Sequence, residues 1–392
     1  MKKTGTINDK EYKSATSQQS QITSHILTCK IHKLDFLSED CHGNGLPILD
    51  PNGKGCKLKF RSISPLSNSP SSKMGKMLGK LLEPLQNSGL RLDGITEIVK
   101  DIQNSMDSRS LKKDETIISF DCIKMYDNLS LDLVKQCLGT RCHEYEEKTS
   151  LPFSIDPILN CIELCYNEGI EYKDRIYKLK RGAPTGHSIS SAIQNLVLST
   201  YEQKIYQPLI KTGEIKMYNR WVDDVICRID NKSITEIMKK LNNFDKSGNL
   251  KFTLEKPNMN NNEYSIPFLD ILIKWSNTSK YKWSTEVFRK ATTSKVMKPF
   301  DEFGPTAWKT GTLVWFLRRG VTHSSTMKIM AKEMDFLRNK FATVGYPHWL
   351  ISQKILKTIA VMLGYEKDPK NGPKEGISQK WRVLQLSYTE VF

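Results

Sequence analysis

Two adjacent aspartates, Asp223 and Asp224, lie between two β-prone arms, and no other feature restricts the fold of this chain as tightly. Met217 to Trp221 and Val225 to Ile229 read as strands, which puts the paired carboxylates at the tip of a hairpin. Like charges held side by side repel, and burying them at a turn without cations would be costly. Divalent ions held there would remove that penalty, and carboxylate oxygens suit magnesium. Taken alone, such a pair is equally compatible with an ordinary solvated turn.

The rest of the chain supplies a context. Thr116 to Phe120 is a short β-prone run ending in a third carboxylate, Asp121, and Tyr126 follows five residues later. Between Asp121 and the acidic hairpin lies Arg181-Gly-Ala-Pro-Thr-Gly186, followed by a helical pattern through Ile189, Ile193, Leu196, Val197 and Tyr201. Glycines let a backbone approach a nucleotide closely, and amides at a helix N-terminus suit phosphate or a templating base. The order is strand-Asp-aromatic, then glycine-rich turn and helix, then hairpin with paired Asp. Together these point to metal-assisted phosphoryl transfer, although each piece alone has an ordinary structural reading.

Charge points the same way. The chain carries 59 Lys and Arg against 43 Asp and Glu, a formal net charge of +16. Residues 272–392 hold 21 of those bases against nine acids, so +12 of the total lies there. Neutralising phosphates releases condensed counterions, so a polyanionic partner accounts for this asymmetry better than solubility does. Met1 to Gln21 is polar and has no apolar h-region, and no apolar run approaches the ~18 residues of a membrane span. The nine cysteines then read as free thiols in a reducing compartment, nucleus or cytoplasm, with no membrane partner. Cys29, His32, Cys41, His42 and Cys56 match no compact zinc module in spacing.

Further helices are expected from Met74 to Leu85, from Ser130 (as N-cap) toward Cys142, from Ser154 to Asn167 and from Ile234 to Phe244. Strand-like pieces fall at 170–172, 176–179 and 250–254, and a hairpin at Pro267–Lys274 and Tyr281–Phe288.

FDCIKMYDNLS (120–130), RGAPTGHSISSAIQNL (181–196) and RWVDDVICRI (220–229) resemble motifs A, B and C of reverse transcriptases. Outside these, Lys30-Ile-His-Lys33 resembles "PKIHK" and Phe60-Arg-Ser-Ile-Ser64 resembles "RPIVS". LKFTLE (250–255), IPFLDILI (266–273) and EVFRKAT (286–292) extend the likeness, which within that family is to the Penelope-like elements and covers about residues 26–390. Members of that group often continue into a GIY-YIG endonuclease; these 392 residues hold no such domain.

The resemblance implies an α+β right-hand polymerase: a disordered tail (1–22), fingers (23–115), a palm (116–275, with finger elements about 140–180) and a basic helical thumb and connector (276–392). It implies an RNA-directed DNA polymerase of a retroelement, taking an RNA template, a DNA primer, dNTPs and two Mg²⁺ ions, with Mn²⁺ as substitute. Asp121, Asp223 and Asp224 become catalytic metal ligands, and Tyr126 the gate against the ribose 2′-hydroxyl. Arg61 and Lys59 face the triphosphate, while Gly182, Pro184 and Gly186 shape the nucleotide and template pocket. Trp221 packs the primer end in place of the usual tyrosine, and Phe268-Leu269 forms the primer grip. His187-Ser188 stands where Ser-Pro is usual. An RNA-dependent RNA polymerase would share the carboxylates, but Tyr126 argues against one. The remaining alternative is a catalytically decayed or domesticated copy that only binds nucleic acid.

Overall fold

The computed structural model describes residues 7–16, 23–24, 26–29, 60–63, 66–90, 94–108, 111–146, 155–172, 174–276, 282–290, 297–362 and 364. By its contacts the chain divides into two units: Met1–Asp93 with Asp114–Lys256, and Gly94–Lys113 with Pro257–Phe392. In chain order the elements begin with α1 (Asp9–Ala15), β1 (Thr23–Ser24), β2 (Ile26–Cys29), β3 (Phe60–Ile63), α2 (Ser72–Leu81) and α3 (Ile95–Ser108). Then come β4 (Glu115–Cys122), α4 (Met125–Asn128), α5 (Leu131–Glu146), α6 (Ile155–Tyr166), β5 (Ile170–Tyr172) and β6 (Arg175–Tyr177). The first unit closes with α7 (Ser190–Tyr201), α8 (Gln207–Lys211), β7 (Ile215–Trp221), β8 (Asp224–Asp230), α9 (Ile234–Phe244) and β9 (Phe252–Glu255).

The first unit is built on a four-stranded antiparallel sheet in the order β7-β8-β4-β9. Side chains alternate across a strand, so Ile118, Phe120 and Cys122 of β4 share a face with Val225, Cys227 and Ile229 of β8. That face is covered by Leu133, Val134 and Cys137 of α5, Ile193, Leu196 and Val197 of α7, and Ile237 and Leu241 of α9, in one buried cluster. Burying each such aliphatic side chain contributes about 1.5–3 kcal/mol, against about 1 kcal/mol net for a ladder hydrogen bond. The apolar face therefore fixes which way the sheet lies. Ser130 caps α5 through Leu133 N–H to Oγ (3.2 Å), as its position before the apolar run leads one to expect. Beside this core, β1 runs parallel to β5, which pairs antiparallel with β6, and β2 pairs with β3.

One buried ion pair crosses the sheet. Arg228 of β8 donates from Nη2 (2.8 Å) and Nε (3.1 Å) to Oε2 of Glu115 in β4. Both side chains are almost wholly removed from water, so each needs the other.

The second unit joins α3 to a four-stranded antiparallel sheet, β10 (Asn258–Asn260), β11 (Glu263–Phe268), β12 (Ile271–Ser276) and β13 (Lys282–Val287), and to three helices. These are α10 (Thr306–His323), α11 (Met327–Ala342) and α12 (His348–Met362), packed around Leu317, Met334, Leu337, Phe341, Ile351 and Ile355. Gln103 of α3 donates to Thr285 Oγ1 (3.1 Å) and to the Thr322 carbonyl (3.3 Å). The β11–β12 turn consists of Leu269, at φ +53°, and Asp270. Asp270 lies 2.8 Å from His323 Nε2 and 2.9 Å from Arg319 Nε. Burial pushes its carboxyl up, but His323 and Arg319 outweigh that and hold it below its ordinary value.

Two expectations change. Residues 9–15 within the expected disordered tail form α1, started by a capping box in which Asn8 Oδ1 accepts from Glu11 N and Glu11 Oε2 accepts from Asn8 N. Its polar composition concealed it. The single strand read over 267–274 is broken by the Leu269-Asp270 turn, so Pro267 and Phe268 belong to β11. Lys30-Ile-His-Lys33 lies outside the described residues. No helix among the described residues is long and apolar enough to cross a membrane.

Replacing Glu115 by Ala would take from the buried Arg228 guanidinium the carboxylate that neutralises it. The expected cost is about 3–5 kcal/mol in denaturant unfolding; a midpoint like that of the wild type would show the pair to be dispensable.

Candidate active site

The sheet register puts two of the carboxylates on one face. Pairing of β4 with β8 runs to Phe120↔Val225; Asp121 follows Phe120 and Asp224 precedes Val225, so alternation turns both away from the core face. On either side, Trp221 pairs with Asp224 and Thr253 pairs with Asp121. Directly paired residues share a face, so Trp221, Asp224, Asp121 and Thr253 form a row across one end of the sheet. It lies on the face opposite Phe120 and Cys122, and Asp121 is exposed there.

Asp223 stands in the turn between β7 and β8, after Val222. Val222 adopts φ +56°, a conformation a β-branched residue takes only when its surroundings impose it. The buried Arg220 guanidinium does so: Nη1 donates to the Val222 carbonyl (2.7 Å) and Nε to Glu202 Oε1 (2.7 Å). Glu202 opens a single π-helical turn (Glu202–Tyr206) between α7 and α8, and is also held by Tyr218 Oη (2.8 Å) and Ser88 Oγ (2.5 Å). The third guanidinium nitrogen, Nη2, is buried with no hydrogen-bond partner.

Electrostatics ties the turn to the row. Burial lifts the Asp223 carboxyl above its ordinary value; its own backbone N–H opposes the rise, Asp121 adds to it, and Arg220 opposes it. Burial and then Asp223 likewise raise the half-buried Tyr126 phenol. Tyr126 is in α4, directly after β4, which places its ring within electrostatic reach of the acidic turn.

The glycine-rich turn is bound to the same place. Ala183 N–H donates to the Tyr126 carbonyl (2.8 Å). Gly182 has φ +81°, and a Cβ there would stand 2.5 Å from the Tyr126 oxygen and 2.6 Å from that of Asp127. The close approach that requires glycine is thus to the chain's own backbone. Pro184 is buried, and its carbonyl accepts from His187 N (3.1 Å) and Ser190 Oγ (2.7 Å), while Gly186, at φ +101°, is exposed.

Two residues that depart from the family pattern anchor this turn from behind. His187 is buried, with Nδ1 accepting from Ile189 N (3.2 Å) and Nε2 2.7 Å from Ser71 Oγ. Glu168 Oε2 lies 3.4 Å from Nε2 and accepts from Ser69 Oγ (3.0 Å) and Ser71 Oγ. Burial would raise the Glu168 carboxyl, but hydrogen bonds from His187, Ser71 and Ser69 hold it below its ordinary value. Ser188 Oγ donates to the Ser72 carbonyl (2.6 Å), and a Cβ on Gly75 would meet that Oγ at 2.5 Å. The signals in the sequence were the His-Ser departure and Gly75. Nothing in the sequence linked them to Glu168.

Arg61 lies in β3 opposite Thr28, and Lys59 is outside the described residues. Phe268, buried, and Leu269 belong to the second unit. Lys251 donates from Nζ to the Asn242 carbonyl (2.6 Å). Asp121, Asp223 and Asp224 offer the hard oxygen donors that Mg²⁺ takes, and their charge crowding is of the kind a cation relieves. They match such an ion in donor type. Among the described residues, however, no three His, Cys, Asp or Glu side chains converge into a formed ligand set.

No protein-family model and no curated protein matches the chain. Solved structures do. Telomerase from Candida albicans, in complex with a TWJ fragment of telomeric RNA, is similar at a TM-score of 0.50 and 14% identity, over 90% of this chain and 62% of that one. The fold is that of a right-hand polymerase. Telomerase from Candida tropicalis (TM-score 0.46, 16% identity, 91% of this chain and 57% of that one) is also similar. So is the RNA-dependent RNA polymerase of a human picobirnavirus (0.44, 12%, 80% and 56%). This chain therefore spans about three-fifths of the length of the solved chains it matches.

Because the Asp223 carboxyl is raised in the fold, its stabilising contribution is fully present below the ordinary Asp value, about 3.9, and is lost as pH climbs through the folded value. Asp223→Asn, neutral throughout, is expected to melt above the wild type at neutral pH and to converge with it in acid. Parallel melting curves at every pH would remove the crowding argument.

Proposed function

We propose that the chain is a reverse-transcriptase-type nucleotidyltransferase, an RNA-directed DNA polymerase that extends a DNA primer on an RNA template. The observation that supports this reading is the β4–β8 register, which ends at Phe120↔Val225 and leaves Asp121 and Asp224 on one face of the sheet, next to the turn that carries Asp223. The right-hand fold and the chain's charge of +16 support it.

Asp121, Asp223 and Asp224 would hold Mg²⁺, or Mn²⁺ in its place. When bound, such ions activate a primer 3′-hydroxyl and neutralise the departing pyrophosphate. The chain's own work is positioning. Arg220 fixes the turn that carries Asp223, through the Val222 carbonyl. Trp221, next to Asp224 in the row, offers the primer end an aromatic surface. Tyr126 stands beside Asp223, where its ring excludes a 2′-hydroxyl on an incoming sugar. Gly182 and Ala183 bind the glycine-rich turn to that gate, so Pro184 and Gly186 border the same nucleotide pocket. Arg61, with Lys59, would take the triphosphate, and Phe268-Leu269 the primer strand. Membership of the Penelope-like group rests on the motif likeness, and a retroelement origin with it.

Primer extension on poly(rA)/oligo(dT) with Mg²⁺ or Mn²⁺ tests the reading. We expect incorporation of dTTP by the wild type and none above background by Asp223→Ala. Template binding without extension would instead identify a decayed, binding-only protein. Tyr126→Ala should raise incorporation of rNTPs relative to dNTPs while keeping extension. Unchanged discrimination would remove the gate from Tyr126 without touching the carboxylates.

A further inference from the structure

β5 and β6 form a hairpin that, Ile170 apart, leaves its side chains outside the buried core. Its register, Ile170↔Tyr177 and Tyr172↔Arg175, puts Tyr172, Arg175 and Tyr177 on one face with Ile170. Only Ile170 of these is buried; Tyr172 is 39% exposed, Tyr177 47%, and Arg175 exposed as well. The two rings meet edge to face, 6.4 Å apart at 63°. Phenol rings this far in water are poorly explained as packing, since neither belongs to a buried cluster of the first unit.

Charge continues the surface. Residues 171–181 carry five bases against two acids, and Lys178, Lys180 and Arg181 are exposed like Arg175. The run leads straight into Gly182 and Ala183, whose amide is bonded to the Tyr126 carbonyl beside the acidic turn. β6 is the last strand of its sheet, so one edge of the hairpin is unpaired among the described residues.

We infer that this hairpin and its basic run form a docking surface for single-stranded nucleic acid. Given the polymerase reading, on which this identification rests, the strand is the unpaired template approaching the acidic row. Exposed aromatic rings offer π-faces on which any unstacked base can lie, and neighbouring cations follow its phosphates. A duplex keeps its base faces inside the stack and would meet only the cations. That chemistry selects single strands without reading sequence.

The test uses the full chain, a fluorescent uridine oligonucleotide and a blunt RNA–DNA duplex. Tyr172→Leu with Tyr177→Leu keeps the apolar bulk at exposed positions, and an unchanged melting temperature checks the fold. We expect its single-strand affinity to fall roughly 10- to 100-fold, with duplex binding and salt dependence unchanged. Arg175→Gln, Lys178→Gln and Lys180→Gln together should flatten the slope of log affinity against log salt by about 2. In primer extension, the tyrosine variant should raise the template KM on an overhang of about ten nucleotides and leave a minimal overhang unaffected. Single-strand affinity that is unaltered, or that falls in step with duplex affinity, overturns the inference. Were the wild type unable to extend any primer, the polymerase reading would fail, and the oligonucleotide measurements would still decide the hairpin.

Discussion

The ladder between β4 and β8 governs the first unit, because a strand's two faces alternate with a period of two. A slip of one residue would turn Phe120 and Val225 toward the carboxylate face and drive Asp121 into the aliphatic core. Core burial and placement of the acidic row are therefore a single constraint. Both ends of the ladder are secured: Glu115 and Arg228 lock the far end by a pair neither could leave. At the near end, the short turn through Val222 is imposed by Arg220.

Arg220 also shows how the fold tolerates its own acidity. Its guanidinium is neutralised mainly by Glu202, and it still lowers the pKa of Asp223. Glu202 is available because the helix after Tyr201 loosens by one π-helical turn, a local departure from regular geometry often associated with functional sites. The carboxylates stay crowded, with Asp223 lifted by burial and by Asp121.

Much of this was legible from local pattern. Alternation and the acidic tip gave away β7 and β8, and Asp121 at the end of an apolar run gave away β4, because these signals are confined to a few neighbouring residues. Gly182 was legible as a required glycine, but for a different reason: what crowds it is the Tyr126–Asp127 backbone, far away in sequence. The knot of Ser71, Glu168 and His187, and the clamp of Arg220 and Glu202, were not legible at all. Each depends on polar side chains being buried together across long stretches of chain, and a serine or glutamate carries no local mark of such a fate. α1 escaped for the opposite reason, being a capped helix too polar to show an apolar stripe.

The path of α3 has its own consequence. The chain enters the second unit at 94–113, returns, and enters again at 257, so three covalent connections join two bodies. Neither body is a continuous stretch of polypeptide. Severing the chain after Lys256 would leave α3, with its apolar stripe of Ile98, Val99, Ile102 and Met106, tethered to the wrong fragment. The fragments would tend to find each other again through that orphaned helix, much as complementing halves of a split protein do. A gene encoding this chain cannot exchange its C-terminal unit by simple end-joining, and any recombination that did so would have to carry an internal segment with it.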